Sequence, residues 1–450
     1  MNFITLEEAQ DLDIRKTENL YKNYYNPTLY RMLKYTGLDI QFVRARDIYV
    51  YDKEGNEYLD FIAGFGALNI GHNNKKVIEA VNKCSEKPNL LEQSINLYNG
   101  VLANNICYLT QELLTVCHFT NCGTETVEEA IKLAMLYNPE GFIIYCSKAY
   151  HGKTLGSISA LGDDVSRKKY NTLRKDFIEV PFGDFNAIRQ VVAKFNIAAI
   201  LLEPIQGEGG INVPPKEYLK EIRELCDKED IIFILDEIQT GLGRCGSMFC
   251  YEEFGAVPDI LCLSKSLSGG IIPIGCMAVE ESLWHSTYGK FKNATLLSST
   301  FGGNTLSCTA AIKTLEIIME ENLPEKAKEA GLYAVKKLQQ LRNKHQIITD
   351  VRGKGLMIGI EFKSLGLVKS KMAIELMMTS IISKMLKEYK IICGFTVNNP
   401  TVLRFEPPLT IEKKQIDYFV HSLDSVLSEK SNILDIAVCT TKNLVSNIFS

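Results

Sequence analysis

The chain has 450 residues, of which 46% are hydrophobic and 23% charged, and its 54 acidic and 50 basic side chains give a formal net charge of −4. Because single cores stop growing at roughly 250–300 residues, we expect one large domain and a smaller one. The lack of a basic tract argues against nucleic-acid binding. No apolar stretch approaches the roughly 20 residues that span a bilayer, and no secretory signal pattern opens the sequence, so we expect no membrane association and a cytoplasmic location.

The thirteen cysteines and six histidines predict neither a disulfide framework nor a metal site. The number of cysteines is odd, no Cys-x-x-Cys pair occurs, and Cys146 and Cys262 fall in apolar runs that are typical of buried strands. We therefore expect reduced thiols. The histidines lie far apart along the sequence, so we expect no bound metal.

The first predicted elements are a strand and a turn near residue 50. Residues 48–52, which are Ile-Tyr-Val-Tyr-Asp, have the pattern of a strand, and Gly55 indicates a turn after it. We expect this segment to pack with the C-terminal part of the chain. Four later runs have the length and content of strands buried on both faces: 142–146, 197–202, 231–235 and 260–263. Between the second and third runs, apolar residues recur at helical spacing from Tyr218 to Cys226. This βαβ pattern predicts a largely parallel sheet.

Beyond residue 300 the pattern predicts helices and then a second, smaller α/β arrangement. Residues 304–345 are predominantly helical in pattern, with Pro324 restarting a helix after a short break. The later predicted elements are strands at 355–362 and 401–405 and helices at 371–388 and 411–428. The predicted divisions are an N-terminal segment packing with the small domain (1–70), the large domain (71–305), a helical connection (306–345), the small domain (346–430) and a tail without an assigned role (431–450).

Polar side chains follow three of the apolar runs at the point where each run ends. They are Glu203, Asp236 and Lys265. In open parallel sheets, ligands bind beyond the carboxyl ends of the strands, so these side chains are candidate site residues. A lysine and an acid at adjacent strand ends suit pyridoxal phosphate, because the lysine forms a Schiff base with its aldehyde and the carboxylate keeps its ring nitrogen protonated. Burial readily lowers the pKa of a lysine, which leaves the neutral amine that this chemistry needs.

Gly123 and Thr124 form a candidate phosphate site. They precede apolar residues at helical spacing and would lie at a helix N-terminus, where free amides and the helix dipole favour an anion. Each motif alone has an ordinary explanation, since Lys265 could be a solvated loop residue, Asp236 a helix cap and Gly123–Thr124 a plain helix start. Their joint occurrence in this order favours a cofactor site.

Two longer motifs carry a resemblance to a known family. Lys265 lies in the motif PDILCLSKSLSGG at 258–270, and Asp236 lies in LDEIQTGLGR at 235–244. Over roughly residues 35–425 the chain resembles the class III aminotransferases. The resemblance implies fold type I of the pyridoxal-phosphate-dependent transferases, an α/β fold with a mostly parallel sheet in its large domain and a smaller α/β domain. It also implies transfer of an amino group, with Lys265 and Asp236 as catalytic residues.

The resemblance implies roles for further residues around the cofactor. Gln239 would bind the ring hydroxyl, Ile238 and Tyr150 would pack on the two ring faces, and Gly123 and Thr124 match the family's phosphate-binding turn. The other predicted cofactor-binding residues are His151, Glu203 and Thr300. Thr300 matches the position that reaches the phosphate in the neighbouring subunit, which implies a homodimer with shared active sites. His151 could line the site or be a structural histidine.

The predicted substrate residues are Phe65, Lys153, Glu208 and Arg404. By resemblance, Arg404 binds the carboxylate of an oxo acid and Glu208 pairs with it when no carboxylate is bound, which implies 2-oxoglutarate as the acceptor. Ornithine-type members carry a tyrosine in place of Phe65 and an arginine in place of Lys153, and the local patterns are more similar to the putrescine aminotransferase branch. We therefore expect a terminal amine donor such as a diamine.

Several other functions stay open from the sequence. The same features are compatible with a biosynthetic enzyme that aminates a long-chain or polyketide-type aldehyde, or with an ornithine- or acetylornithine-type aminotransferase. Because the fold fixes the cofactor but not which substrate bond breaks, an aminomutase, decarboxylase or racemase is a further alternative. A non-enzymatic pyridoxal-binding regulator would need a lost catalytic group or an added DNA-binding module, and neither is apparent in the sequence.

Overall fold

The computed structural model describes residues 3–90, 94–162, 167, 169–170, 174–363 and 371–429. The predicted tail at 431–450 lies outside these residues. The described α-helices are α1 (Leu6–Gln10), α2 (Ile14–Leu20), α3 (Pro27–Thr36), α4 (Ala63–Gly66), α5 (Lys75–Lys83), α6 (Leu97–Leu109), α7 (Gly123–Tyr137), α8 (Phe185–Val192), α9 (Tyr218–Glu229), α10 (Glu281–Thr287), α11 (Thr305–Glu320), α12 (Leu323–Lys344), α13 (Lys371–Tyr389) and α14 (Lys413–Ser428). A π-helical turn (Tyr21–Tyr25) and 3₁₀ turns (Ser157–Ala160, Cys250–Phe254, Lys265–Ser268, Phe291–Asn293) complete the helical elements of this part.

The described strands form three sheets. They are β1 (Phe42–Arg46), β2 (Tyr49–Asp52), β3 (Glu57–Asp60), β4 (Val116–Thr120), β5 (Phe142–Cys146), β6 (Phe177–Val180), β7 (Ile197–Leu202), β8 (Ile232–Asp236), β9 (Ile260–Leu263), β10 (Gly275–Val279), β11 (Ile348–Lys354), β12 (Met357–Phe362), β13 (Ile391–Ile392), β14 (Gly394–Phe395) and β15 (Val402–Phe405). The largest sheet has seven strands in the order β4-β10-β9-β8-β7-β5-β6.

The seven-stranded sheet is mostly parallel, which confirms the prediction from the βαβ pattern. Strands β6, β5, β7, β8 and β9 pair in parallel, while β10 runs antiparallel to both β9 and β4. Helix α9 lies between β7 and β8 in the chain. Its buried residues recur at helical spacing, as predicted, and are Tyr218, Leu219, Ile222, Leu225 and Cys226.

The central strands are buried on both faces, because successive side chains of a strand point to opposite sides of the sheet. Ile200 and Phe233 belong to one hydrophobic cluster, whereas the neighbouring Leu201 and Ile234 belong to another. The long apolar runs in the sequence are therefore the core of the sheet, and the first polar residue after each run lies at its carboxyl edge.

The two smaller sheets contain the N-terminal and C-terminal parts of the chain. An antiparallel sheet has the order β11-β12-β15-β14, and its strand β11 was not predicted. The other has the order β1-β2-β3-β13, in which Ile391 pairs with Leu59 in parallel. The N-terminal segment thus shares a sheet with residues of the C-terminal part, while the exact domain boundaries stay predictions. Helix α12 restarts at Leu323 with Pro324 in its first turn, as expected.

Within the described residues, every helix is too short or too polar to cross a membrane.

Candidate active site

A cavity of about 300 Å³ lies where β7, β8 and β9 end. Most of the predicted site residues line it: Gly123, Thr124, Tyr150, His151, Lys153, Glu203, Asp236, Ile238, Gln239 and Lys265. They come from five separate stretches of sequence, which the parallel strands bring to one edge of the sheet.

Lys265 begins the 3₁₀ turn that follows β9, two residues after the strand ends. Its φ of +43° is in the left-handed region, a conformation that costs a non-glycine residue of order 1–3 kcal/mol and is found preferentially at functional sites. Burial in the cavity wall lowers the pKa of the Lys265 amine, although the nearby Glu406 and Glu208 carboxylates oppose this shift. A lysine in these surroundings gives up its proton more easily than a solvated one.

Asp236 and His151 form a buried pair at the end of β8. The atoms His151 Nδ1 and Asp236 Oδ2 are 2.7 Å apart, and the second carboxylate oxygen accepts a hydrogen bond from the Ile238 N–H at 3.1 Å. Burial alone would lower the pKa of His151, but its hydrogen bond and attraction to Asp236 outweigh burial and raise that pKa. Nδ1 therefore donates to the carboxylate. His151 was interpreted from the sequence either as a residue that lines the site or as a structural histidine. The structure favours the first interpretation, because His151 lines the cavity and orients Asp236.

Glu203 ties two segments of the cavity wall together. Its carboxyl oxygens accept hydrogen bonds from the backbone N–H of Tyr150 at 3.0 Å and of Gly207 at 2.9 Å. Burial raises the pKa of Glu203 to about 7, and the nearby Asp236 acts in the same direction. Glu203 thus positions Tyr150 through the backbone and lies beside the Asp236–His151 pair.

Helix α7 begins at Gly123 and presents its N-terminus to the cavity. The preceding Cys122 makes no side-chain capping hydrogen bond, so the first-turn amides keep their capacity to bind an anion. The Thr124 hydroxyl lies 2.8 Å from that of Ser157. A Cβ on Gly123 would lie 2.8 Å from Ile238 Cδ1, so a larger residue at the helix start would displace the Ile238 side chain that lines the cavity.

The donor set fits pyridoxal phosphate. An amine of lowered pKa, a carboxylate at a strand end and an anion-binding helix start surround one cavity, between Tyr150 and Ile238. In the part of the chain that the structure describes, no three His, Cys, Asp or Glu side chains are arranged to hold a metal ion.

Arg404 is fully buried next to this cavity and contacts two carboxylates. Its Nη2 lies 2.7 Å from Glu208 Oε1, and its Nη1 lies 3.0 Å from Glu406 Oε2. Burial favours the neutral form of Glu208, but attraction to Arg404, a hydrogen bond from the Val397 N–H and attraction to Lys265 together outweigh burial and lower the pKa of Glu208. The pairing of Arg404 with Glu208 that the resemblance implied is present, and the pair is not a surface ion pair.

The remaining predicted substrate residues lie at the mouth of the site. The Phe65 ring centroid is 5.1 Å from the Arg404 guanidinium carbon, and Phe65 itself is about half exposed. Lys153 is exposed, with its amine 5.8 Å from the Tyr150 ring centroid. Thr300 is exposed and lies outside the lining of the cavity, so its predicted contact with a neighbouring subunit stays a prediction.

Glu406 is the site residue that the sequence reasoning missed. It accepts hydrogen bonds from Gln239 Nε2 at 2.9 and 3.1 Å in addition to its contact with Arg404. A signal for it was available, because side chains two apart in extended backbone point to the same side, and Glu406 comes two residues after Arg404, directly beyond the end of β15.

Comparisons with known proteins agree with this geometry. The family model described as aminotransferase class-III matches residues 33–427. A putrescine aminotransferase of Pectobacterium atrosepticum is 39% identical to the chain, covering 91% of the chain and 88% of that protein. An acetylornithine aminotransferase of Methanocaldococcus jannaschii is 38% identical, covering 89% of the chain and 96% of that protein.

One further relative is longer than this chain. The aminotransferase PigE of a Serratia species is 34% identical over 96% of the chain, which spans only 56% of that protein. Among solved structures, the ornithine aminotransferase of Toxoplasma gondii superposes with a TM-score of 0.84 at 27% identity, covering 95% of the chain and 98% of that structure.

Proposed function

Since this chain belongs to the class III aminotransferases, we propose that it transfers the amino group of a terminal amine, such as putrescine or another diamine, to 2-oxoglutarate. In this proposal pyridoxal phosphate is bound on Lys265, and the reaction proceeds in two half-reactions that use the same cavity. The observation that carries the proposal is the convergence of Lys265, Asp236 and the start of α7 on one cavity beside the buried Arg404–Glu208 pair.

When bound, pyridoxal phosphate supplies an aldehyde for the amine and a ring that withdraws electrons from the substrate. Lys265 would hold the cofactor and then carry the proton between substrate atoms, for which a neutral amine is needed. Asp236, held by His151 and the Ile238 N–H, would keep a negative charge at the ring nitrogen. The amides at the start of α7 would bind the phosphate.

Arg404 and Glu208 would select the acceptor. A planar guanidinium can bind a carboxylate through two parallel hydrogen bonds, and in this structure Glu208 accepts one hydrogen bond from Arg404 Nη2. The carboxylate of an oxo acid would replace Glu208, so that the buried guanidinium is paired at every stage.

The donor proposal rests on Phe65 and Lys153 and on the similarity to a putrescine aminotransferase. Neither residue offers the tyrosine or arginine expected at these positions in ornithine-type enzymes. A second candidate is ornithine or acetylornithine, favoured by the 38% identical acetylornithine aminotransferase and by the ornithine aminotransferase structure. The half-exposed Phe65 at the mouth is also compatible with a long-chain aldehyde acceptor.

A panel of donors with 2-oxoglutarate and pyruvate separates these candidates. We expect kcat/KM for putrescine and cadaverine to exceed that for ornithine and acetylornithine by about tenfold or more, since the site lacks an arginine for the donor's carboxylate. The measurement is donor loss together with glutamate or alanine formation. Efficient turnover of ornithine or acetylornithine without turnover of the diamines would contradict the donor proposal, and a lack of glutamate would contradict the acceptor.

We also propose a homodimer in which Thr300 reaches the cofactor phosphate of the partner subunit. Thr300 is exposed, and large apolar side chains close to it in sequence, Phe291, Leu296 and Phe301, are exposed as well, which is unusual for a surface that stays in water. A partner subunit would cover them.

Light scattering should give twice the chain mass of 50.6 kDa. Thr300→Ala should keep this mass but weaken cofactor affinity by about tenfold, because one hydrogen bond to a charged phosphate is lost. Thr349→Ala, which removes another exposed threonine hydroxyl away from the cavity, serves as the control. A monomeric protein with full cofactor affinity would exclude the shared site.

A further inference from the structure

Glu406 is a buried carboxylate that contacts Gln239 in the cavity wall, and the proposed reaction does not require it. Its exposed fraction is 0%, as is that of Arg404. One carboxylate contacts two different donors, Arg404 Nη1 at 3.0 Å and Gln239 Nε2 at 2.9 and 3.1 Å. An isolated buried charge is costly, so a carboxylate in this position needs these partners.

Two glycines make room for Glu406 and Gln239. A Cβ on Gly66 would lie 2.9 Å from Glu406 Oε1, and a Cβ on Gly207 would lie 1.8 Å from Gln239 Oε1. Gly66 also has a φ of +83°, which side-chain-bearing residues rarely adopt. The backbone around the cavity is therefore shaped to admit this carboxylate–amide pair next to Arg404.

The charges at Arg404 do not balance. One guanidinium contacts two carboxylates, Glu208 and Glu406, so the cluster carries one excess negative charge when both acids are ionised. The Nε–H of Arg404 is buried and has no hydrogen-bond partner in the described part of the chain. Once Glu208 leaves Nη2, the edge formed by Nε and Nη2 can bind an incoming carboxylate while Nη1 stays on Glu406.

The excess charge lies within electrostatic reach of the reacting amine. Burial lowers the pKa of Lys265, and Glu406 and Glu208 are the strongest influences that raise it. A cationic group bound close to Lys265 would be attracted by the same two carboxylates.

We propose that Glu406 is a specificity-determining residue: it keeps Arg404 neutralised on one side, so that Glu208, which contacts Arg404 in this structure, can turn away from it and bind the distal ammonium of a diamine. This inference rests on the proposed diamine donor. Without Glu406, Arg404 would need Glu208 for its own charge, and the site would favour carboxylates over ammonium groups. Glu406 therefore makes the site around Arg404 prefer cationic donors over anionic ones, while an oxo acid still binds at the Nε–Nη2 edge.

The variant Glu406→Gln tests this in two ways on the holoenzyme. The first measurement is the ratio of kcat/KM for putrescine to that for n-butylamine, which has the same carbon chain but no distal charge. We expect the ratio to fall about tenfold. The second is calorimetric binding of glutarate, an unreactive dicarboxylate that resembles the acceptor. We expect glutarate to bind about tenfold more tightly, because Arg404 has lost a competing charge.

Two further variants separate charge from structure. Glu406→Asp keeps the negative charge and should restore the putrescine preference to within about threefold of the wild type. Glu361 lies in the neighbouring strand β12 and contacts a different arginine, Arg352 of β11. Glu361→Gln removes this carboxylate and should leave both measurements unchanged. Circular dichroism and thermal unfolding establish that each variant is folded.

An equal loss for both amines, or weaker glutarate binding in Glu406→Gln, would show a purely structural role and overturn the inference. Unchanged ratio and affinity would overturn it as well. If the wild-type enzyme does not use putrescine, the proposed donor fails separately, and the glutarate measurement alone decides whether Glu406 lowers the affinity of Arg404 for carboxylates.

Discussion

Replacing Lys265 with alanine is expected to lower the transamination rate by about 10⁴-fold or more, because one side chain would serve as both nucleophile and proton carrier. The protein should remain folded. Alanine retains the Cβ, so the left-handed backbone at this position is no more strained than before, and a partly buried amine of lowered pKa is removed. The measurements are single-turnover kinetics of each half-reaction and thermal unfolding of the cofactor-free protein.

A matched lysine provides the control. Lys216 is exposed and lies outside the cavity, so Lys216→Ala should keep the wild-type rate. Borohydride reduction followed by peptide mapping should find the cofactor mass on Lys265 in the wild type and on no peptide of Lys265→Ala. Retention of more than about 1% of the rate by folded Lys265→Ala would mean that another amine performs the chemistry.

The sequence predicted the part of the site that depends on strand ends. Asp236 and Lys265 follow apolar runs, and the structure turns those runs into neighbouring parallel strands whose carboxyl ends lie together. The separation of these two residues along the sequence does not indicate that they lie close together in the fold. The rule that parallel strands bring their carboxyl ends to one edge supplies that information.

Other parts of the structure could not be predicted from local pattern. Strand β10 is buried and apolar like its neighbours, but it runs antiparallel to them, and direction is set by the connections rather than by side chains. The hydrogen bond between His151 and Asp236 joins residues 85 positions apart, and only the packed fold determines it.

Glu406 makes one contact that the sequence could have indicated and one that it could not. Its position two residues after Arg404 could have indicated that it lies on the same face as the arginine. Its contact with Gln239, however, depends on the fold bringing the segment after β15 to the segment after β8, and 167 residues separate the two side chains in sequence. Sequence alone could have shown that Glu406 accompanies Arg404, but not that it reaches the cofactor side of the site.

Asp236→Asn is expected to lower kcat by about 10³-fold while costing little stability. The amide keeps the shape of the carboxylate but lacks the charge that would hold a proton on the ring nitrogen. One amide oxygen can still accept from the Ile238 N–H, and the amide nitrogen can donate to His151 if the imidazole moves its proton to Nε2. A change of tautomer at His151 therefore keeps the hydrogen bond between the two side chains. We expect the substitution to lower kcat and to leave folding unaffected.

Glu237→Gln should give the opposite result, because Glu237 follows Asp236 directly and points away from the cavity. Its carboxyl accepts from the backbone N–H of Cys250 at 2.6 Å and of Tyr251 at 2.7 Å, and an amide would place a donor against one of them, at a cost of about 1–3 kcal/mol.

Burial raises the pKa of Glu237 to about 8 from an ordinary 4.5, so the folded protein binds this proton more tightly than the unfolded chain. The stability that the group contributes is full below pH 4.5 and is lost as pH rises towards 8. The free energies of unfolding of the wild type and of Glu237→Gln should therefore approach each other as pH rises across that range. The kcat of Glu237→Gln should stay within about threefold of the wild type. A large loss of kcat in Glu237→Gln, or a full rate in Asp236→Asn, would mean that the carboxylate serving the ring nitrogen has been assigned to the wrong residue.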